Sequence, residues 1–474
     1  MGQEIRRVEF SHSDFAEYLR RLAAETREVL SLFDHAGKID ERYVFGFELE
    51  AWIVDHNYYP APHNEEYLNR LSHPLVVPEL SRFNVELNAT PSLIADNALS
   101  RMQAELTSTW QDCQRVCHDM GDALVLIGIL PTIRNSDLCL ANISPLNRYH
   151  ALNEQILKCR QGKALTIDID GRDSLRLVHD DVMLEAATTS FQVHFQVPFT
   201  ELQRHYNASH IVAGPIIAVA ANSPFLFGRS LWEETRVPLF EQAVDIGGDT
   251  FDTPLHRVTF GSGYLTGGVS QYFEENLKHF QPLLPILFDG ATRFEHMRLH
   301  NGTIWRWNRL LIGFDDEERP HVRIEHRPLP AGPSLVDMMA NAALYLGATH
   351  FLAKLRDAPE NDLPFAAARA NFYTAAKLGL DAELVWLGGQ SVNVESLLLD
   401  ELIPMAKCGL ESLGVASEES ERYLSIISSR VKSGQNGASW QRTFVDRHGK
   451  DMLQLTAAYL ENQRSGAPVH EWEI

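Results

Sequence analysis

Residues 43 to 54 read YVFGFELEAWIV, a segment rich in aromatic and β-branched side chains that predicts a β-strand. Side chains alternate between the two faces of a strand. Glu48 and Glu50 therefore share one face, opposite an apolar face made of Phe47, Leu49, Ala51 and Ile53. Taken alone, the segment fits an ordinary antiparallel strand with one solvated face as well as it fits a functional strand.

Three later segments repeat this pattern of a polar face opposite an apolar one. Their polar faces carry, in chain order, Asn84, Glu86 and Asn88, then Ser190, Gln192, His194 and Gln196, and finally Arg323, Glu325 and Arg327. If the four segments pair in one antiparallel sheet, acidic, histidine and arginine side chains line a single face. Glu79 joins this face from the segment before Glu86.

A face of this composition predicts bound cations and phosphate. Two carboxylates about 4 Å apart repel each other by roughly 4 kcal/mol at an effective dielectric constant near 20. Carboxylate oxygens with at most one imidazole suit Mg²⁺ or Mn²⁺ rather than zinc, and arginine forks suit phosphate. Carboxylates, such ions and arginine together are typical of phosphoryl transfer. A solvated face with surface salt bridges is the alternative, and it explains one such strand better than four.

The composition is that of a soluble globular protein. The chain has 474 residues, of which 45% are hydrophobic and 22% are charged, and its formal net charge is −21. This acidic balance argues against a nucleic-acid partner, which would require a basic surface. The first residues lack the apolar run of a signal peptide, and the longest apolar run, 211 to 221, is too short to span a bilayer. We expect a cytoplasmic protein without a membrane partner.

The rest of the chain predicts helices around the sheet and a helical C-terminal half. We expect a strand at 123–130, irregular structure at 131–172 and a loop at 260–268. Helices are predicted at 12–35, 97–120, 208–222, 335–356, 362–376, 391–414, 416–433 and 449–464. Since no repeat or clear linker interrupts the chain, we favour a single catalytic α+β domain over 1–474. It has a largely antiparallel sheet with helices packed on one side; about 40–350 carries the sheet and the site, and about 351–474 forms the helical part.

The ordered set of motifs resembles the glutamate–cysteine ligases and related carboxylate–amine ligases. The motifs are Glu48-Leu49-Glu50, the pair Glu79 and Glu86, Gln192-Val193-His194, the segment Asn222 to Gly228, the strand Arg323 to Arg327 and, more weakly, Gly437 to Arg442. The resemblance implies the glutamine-synthetase-like fold, to which the guanido kinases are related. It also implies an ATP-dependent ligase with two or three Mg²⁺ or Mn²⁺ ions per site and ATP as co-substrate.

In that family a substrate carboxylate, typically the side chain of glutamate, takes the γ-phosphoryl group of ATP and is then attacked by an amine. With cysteine as the amine, the product is γ-glutamylcysteine, on the route to glutathione. The amine is not identified by the sequence, so another amine or another carboxylate is an open alternative. A homodimer is the commonest assembly for such a chain.

The resemblance assigns roles to individual residues. It implies that Glu48, His194 and Glu325 hold one metal near the phosphates, and that Glu50, Glu79 and Glu86 hold another near the substrate. Arg327 and Glu325 are the catalytic candidates. The candidates for binding ATP are Arg323, Arg327, Arg306 and Arg309, and those for binding the substrate are Arg236, Asn222 and Gln192.

Several of these roles have structural alternatives. Arg236, Arg306 and Arg309 also fit ordinary structural arginines, Glu79 also fits a surface position, and His194 also fits a hydrogen-bonded sheet histidine. Some relatives have a second histidine where this chain has Gln196. Two other functions stay open: a guanidino phosphotransferase of related fold, and a non-catalytic nucleotide-binding protein.

Overall fold

The structure is a computed structural model, and it describes residues 4–34, 39–247, 256–290, 292–315 and 317–474. The strands are β1 (Val44–Val54), β2 (Val76–Pro78), β3 (Asn84–Asn88), β4 (Ser92–Leu93), β5 (Ala123–Val125), β6 (Leu165–Asp170), β7 (Ser174–His179), β8 (Phe191–Gln196), β9 (Phe225–Leu226), β10 (Arg229–Ser230), β11 (Val258–Thr259), β12 (Trp305–Arg306), β13 (Asn308–Phe314), β14 (Pro320–His326), β15 (Glu383–Val385) and β16 (Ser391–Asn393). The helices of the first two thirds are α1 (His12–Phe33), α2 (Asn64–Leu71), α3 (Ala98–Asp119), α4 (Asn147–Cys159), α5 (Leu202–Ala220), α6 (Arg236–Ala243), α7 (Ser270–His279) and α8 (Glu295–Gly302). Those of the last third are α9 (Leu335–Lys354), α10 (Phe365–Leu378), α11 (Val394–Leu397), α12 (Ile403–Ser412), α13 (Ser417–Ser433), α14 (Gly437–His448) and α15 (Met452–Ser465).

The four patterned segments pair in one eight-stranded sheet, as the sequence predicts. The strand order is β13-β14-β8-β1-β3-β2, with β4 and β5 also pairing with β1. All these pairs are antiparallel. The register places Glu50 opposite Glu86 and Glu325 opposite His194. Because residues opposite each other across strands share a face, this register brings the polar side chains together.

The apolar face of the sheet is covered by helices α5 and α9. On this side the ring of His326 stacks on Tyr345 with centroids 4.0 Å apart, and Phe195 meets His205 edge to face. His326 Nδ1 lies 2.8 Å from the side-chain oxygen of Asn308, so the ring is held as a core group. The predicted α+β fold with a largely antiparallel sheet is confirmed.

The prediction of irregular structure at 131–172 is wrong. This segment contains α4 and β6. In β6 the buried residues Leu165, Ile167 and Ile169 alternate with exposed polar ones, a strand pattern present in the sequence. Helix α4 is harder to recognise because it buries the polar residues Asn153 and Gln155.

One strand boundary and three C-terminal elements also differ from prediction. The strand expected at 123–130 ends at Val125, and the following residues are buried without being a strand. In the C-terminal part, α14 and the hairpin of β15 and β16 were not predicted. Helix α14 begins with a capping box formed by Asn436 and Ser439, but its first helical residue is a glycine, which disfavours a helix prediction. Within the described ranges, no helix has both the length and the hydropathy to cross a membrane.

Helices α9 and α12 pack closely where two glycines meet. A Cβ atom added at Gly409 would overlap the carbonyl oxygen of Gly347, and one added at Gly347 would overlap the carbonyl oxygen of Ala406. Both obstacles are backbone atoms of neighbouring helices, so they cannot move aside as a side chain can. This contact fixes the distance between the two helices.

We expect Gly409→Val to destabilise the protein by about 3 kcal/mol, because overpacking against backbone forces the helices apart. Thermal unfolding followed by circular dichroism measures the effect. Gly263→Val is the matched control, since a Cβ atom at Gly263 meets nothing within 4 Å. Equal melting temperatures for the two variants would contradict this description of the α9–α12 contact.

Candidate active site

The polar face of the sheet forms the floor of a cavity of about 430 Å³. Residues from α4, α6, α8 and the 3₁₀ segment Val182–Ala187 form its other walls. The polar sheet residues that line it are Glu48, Glu50, Glu86, Gln192, Arg309, Arg323 and Glu325. Arg327 joins them from the residue after β14, and Glu79 from the loop after β2. The structure therefore brings most of the predicted site residues together around one cavity.

Glu48, His194 and Glu325 form the first of two clusters on the polar face of the sheet, and Glu48 and Glu325 line the cavity. The three residues offer ligand atoms that all lie within 4.8 Å of one another. His194 Nε2 is 3.2 Å from Glu48 Oε1 and 3.9 Å from Glu325 Oε1. Burial acts to raise the pKa of Glu48, but the adjacent His194 outweighs it and lowers this pKa to about 2. Burial likewise opposes ionisation of Glu325, whose pKa is nevertheless held well below its usual range by Arg309 and Arg327.

Arginines hold the first cluster in place. Arg309 binds Glu325 with a two-pronged contact, in which Nε donates to Oε2 at 2.7 Å and Nη2 donates to Oε1 at 2.8 Å. Arg327 Nη1 donates to Glu325 Oε2 at 3.1 Å and to the side-chain oxygen of Gln192 at 2.5 Å. Such paired contacts fix the direction of each guanidinium group.

Glu50, Glu79 and Glu86 form the second cluster, which is purely carboxylate. Their ligand atoms also lie within 4.8 Å of one another. Burial, reinforced by the charge of Glu50, raises the pKa of Glu79 to about 8. Burial and the charge of Glu48 raise the pKa of Glu86 well above its usual value. For Glu79 the nearby charge of Arg148 acts in the opposite direction but does not outweigh burial and the neighbouring carboxylates.

The second cluster fits a divalent cation as it stands. Glu86 Oε1 accepts a hydrogen bond from Asn88 Nδ2 at 2.9 Å, but its buried Oε2 has no hydrogen-bond partner among the described residues. A buried carboxylate oxygen without a partner is costly, and a cation bound by three carboxylates satisfies it. Hard oxygen donors of this kind are those of Mg²⁺ and Mn²⁺ sites.

The first cluster fits a cation after one rearrangement. Arg323 Nε donates to His194 Nδ1 at 2.9 Å, so a neutral His194 carries its hydrogen on Nε2. An ion bound at Nε2 therefore requires the contact between Arg323 and His194 to open. With that change, two carboxylates and one imidazole complete the donor set predicted from the sequence.

Three residues predicted to bind ATP or substrate lie elsewhere. The described lining of the cavity does not include Arg306, Asn222 or Arg236. Arg306 pairs with Glu275 and lies over the ring of Tyr272. The amide of Asn222 donates to the carbonyl oxygen of Ala331 at 2.8 Å, and Arg236 Nη1 donates to that of Pro328 at 3.0 Å. In this structure their side chains hold neighbouring segments together.

Several cavity residues were not identified from the sequence. They are Arg148 and Tyr149 on α4, Glu185 in the 3₁₀ segment, and Glu295 and Arg298 on α8. Burial, together with the charge of Glu50, raises the pKa of Glu185 to about 8. The missed helix α4 explains two of these omissions. For Glu185 the sequence holds no signal, because a single 3₁₀ segment has no readable periodicity.

The antiparallel sheet, with two acidic clusters and arginines on one face, has the arrangement that the sequence resemblance to carboxylate–amine ligases implies. Residues 44–456 match the model of glutamate-cysteine ligase family 2, and the chain belongs to that family. The protein is thus an ATP-dependent carboxylate–amine ligase, a class that uses a divalent metal. The resemblance found in the sequence is confirmed.

Solved structures agree on the fold. A glutamate–cysteine ligase from Francisella tularensis, solved in complex with AMP, is 13% identical over 90% of both chains, with a TM-score of 0.55. A bifunctional glutathione synthetase from Pasteurella multocida is also 13% identical, with a TM-score of 0.51. That match covers 90% of this chain and 53% of the synthetase. No curated protein sequence gives a significant match.

We expect Mn²⁺ to raise the melting temperature of the wild-type protein and to have a much smaller effect on Glu86→Gln. A ligand that binds only the folded state stabilises it by about 2.7 kcal/mol at a hundred times its dissociation constant. The substitution removes one of the three carboxylates of the second cluster. Differential scanning fluorimetry over a Mn²⁺ series measures the shift, and Glu383→Gln on the exposed hairpin is the control. An identical Mn²⁺ response in Glu86→Gln would show that this cluster holds no ion.

Proposed function

We propose that the protein joins the side-chain carboxylate of glutamate to an amine through an acyl phosphate, with cysteine as the first amine to test. The observation that supports this most strongly is the placement of Glu48 and Glu50 two residues apart on β1, each in a different cluster. One cluster can thus serve the triphosphate while its neighbour serves the substrate carboxylate. Family membership supports the reaction class, and the identity of both substrates belongs to the proposal.

Arg327 is the residue best placed to stabilise the transferring phosphoryl group. One of its nitrogens, Nη1, is anchored by Gln192 and Glu325, while its buried Nε has no hydrogen-bond partner among the described residues. The guanidinium group is therefore fixed in direction and keeps a donor for a phosphoryl oxygen. Preorganised donors of this kind stabilise the charge that develops in the transition state.

Gln192 aligns the two clusters. Its side-chain nitrogen donates to Glu50 Oε1 at 3.1 Å, and its side-chain oxygen accepts from Arg327. It thus links a residue of the carboxylate cluster to the arginine beside the first cluster. A divalent ion bound at either cluster supplies positive charge that neutralises phosphate oxygens and the substrate carboxylate.

The reaction then follows in two displacements. An oxygen of the glutamate side chain attacks the γ-phosphorus of ATP, the bond to the β-phosphate oxygen breaks, and ADP leaves. The amine next attacks the acyl carbon, the carbon–oxygen bond breaks, inorganic phosphate leaves, and the nitrogen loses a proton. Arg148, which lines the cavity beside Glu79, offers a positive charge for the α-carboxylate of glutamate.

Product analysis tests this proposal. The protein is incubated with Mg²⁺-ATP and glutamate, with and without cysteine, and ADP, phosphate and the mass of any product are measured. A γ-glutamylcysteine mass together with ADP and phosphate is the expected result. Phosphate release that requires glutamate but gives no dipeptide would show that cysteine is not the amine substrate, and other amines would then be tested. A phosphorylated product without free phosphate would indicate a kinase, and no turnover with any carboxylate would overturn the proposal.

A further inference from the structure

The cavity that contains the two acidic clusters is also lined by residues on α8 and in the loop before it, and we call this part of the cavity the α8 lobe. Leu284, Phe288 and Leu299 give this lobe apolar walls, and Glu295 and Arg298 are its charged residues. Glu295, Arg298 and Leu299 are spaced three and four positions apart, so they lie on one face of the helix. The lobe is thus an apolar slot with a carboxylate and a guanidinium group on the same wall.

The carboxylate of Glu295 is held in place through only one of its two oxygen atoms. The residue is 8% exposed. Thr292 Oγ1 donates to its Oε1 at 3.0 Å, whereas its buried Oε2 has no hydrogen-bond partner among the residues that the structure describes. Because a buried unsatisfied carboxylate oxygen is costly, Oε2 is an acceptor available to a donor group on a bound molecule.

The charges of the cavity indicate which molecule enters this lobe. Arg298 lies near Arg323, on the side of the cavity where Arg309 also projects from the edge strand β13. In the second cluster Glu50 lies on β1 itself, and Glu86 and Glu79 lie on the other side of β1, on β3 and the loop after β2. A triphosphate carries negative charge, so it is drawn toward the arginines. The group attached to the triphosphate is then directed toward the α8 lobe.

We propose that the α8 lobe binds the nucleobase of ATP and that Glu295 Oε2 accepts a hydrogen bond from the amino group on carbon 6 of adenine. This inference rests on the use of ATP and is independent of which carboxylate and amine the enzyme joins. The flat, apolar faces of the base fit between Leu284, Phe288 and Leu299. Hypoxanthine and guanine present a carbonyl oxygen at carbon 6, which a carboxylate repels. Glu295 is thus a specificity-determining residue for adenine.

Calorimetric binding of Mg²⁺-ATP and Mg²⁺-ITP, without glutamate or amine, tests the proposal. We expect the wild-type protein to bind ATP at least about tenfold more tightly than ITP. In Glu295→Gln this ratio should fall at least about tenfold, because an amide can either accept from an amino group or donate to a carbonyl. Glu274→Gln removes the same charge from an exposed position of α7 and should leave the ratio unchanged.

Binding of Mg²⁺-tripolyphosphate, which lacks a base, completes the test. Its affinity should be the same in the wild type and in Glu295→Gln, since the substitution lies outside the phosphate contacts. A wild-type protein that binds ATP and ITP equally would overturn the proposal even if the variant does not fold. An unchanged ATP-to-ITP ratio in Glu295→Gln would overturn the role of Glu295 in recognising adenine. Because nucleotide binding is measured alone, failure of the glutamate proposal would not change this outcome.

Discussion

Glu48→Gln is expected to reduce ATP turnover by roughly a thousandfold while the protein keeps its fold. Glutamine has nearly the shape of glutamate but lacks the negative charge that a metal ion in the first cluster requires. The partner of Glu48 in this cluster is His194, at 3.2 Å, and a glutamine can still contact it. Phosphate release under saturating Mg²⁺-ATP, together with the melting temperature, measures both parts of this expectation.

Glu48 is a better position for this test than Glu325. Glu325 neutralises the buried Arg309 through two hydrogen bonds, and breaking a buried ion pair costs about 3–5 kcal/mol. A loss of activity in Glu325→Gln could therefore come from a lost metal ligand or from a destabilised protein, and the two causes would not be separated. Glu383→Gln, on the exposed hairpin of β15 and β16, makes the same change away from the cavity and should retain full activity. Wild-type turnover by Glu48→Gln would rule out a metal site at the first cluster.

Arg327→Lys is expected to lower kcat by roughly a hundredfold to a thousandfold and to leave the KM for glutamate within a few-fold of wild type. Lysine keeps the positive charge but lacks the planar fork. All donors of lysine lie on one nitrogen atom, so this atom cannot occupy both the Nη1 position that contacts Gln192 and Glu325 and the separate position of a second guanidinium nitrogen. Because the contact is strongest in the transition state, the loss falls on kcat.

Steady-state kinetics with varied glutamate separates kcat from KM for this variant. The exposed Arg229, changed to lysine in the same way, is the control. A raised KM with an unchanged kcat would mean that Arg327 binds the ground-state substrate and not the transferring phosphoryl group. Unchanged values for both constants would remove Arg327 from the site.

The residues on the floor of the site were predictable because alternation along a strand tells which side chains lie on the same face of the sheet. Glu48, Glu50, Glu86, His194 and Glu325 were each placed on a polar face by the period of two, and the sheet register brought them together. Strand alternation gave no placement for Arg306, which was a candidate for binding ATP and is not among the described residues that line the cavity. It lies in the two-residue strand β12, which pairs in parallel with β11 and outside the main sheet. Alternation along β12 therefore does not tell whether the side chain of Arg306 lies on the same side as the polar face of β14.

The walls of the cavity were not predictable for a different reason. Arg148, Glu185 and Glu295 come from a helix, a 3₁₀ segment and a second helix that are far apart in sequence. Only the three-dimensional packing turns these side chains toward the sheet. Asn222 shows the converse, since its amide bonds to Tyr459 and to Gln441, from helices that the sequence did not connect with it. A single catalytic domain, a homodimer and a cytoplasmic location stay predictions.

Transfer of ¹⁸O from glutamate to phosphate tests the central claim most directly. Glutamate labelled in both oxygens of its side-chain carboxylate is incubated with Mg²⁺-ATP and the accepted amine, and the phosphate is analysed by mass spectrometry. If the carboxylate attacks the γ-phosphorus and the acyl phosphate is then cleaved by the amine, each phosphate carries one ¹⁸O atom. Phosphate without the label, formed together with the amide product, would contradict an acyl-phosphate intermediate and with it the roles proposed for the two clusters.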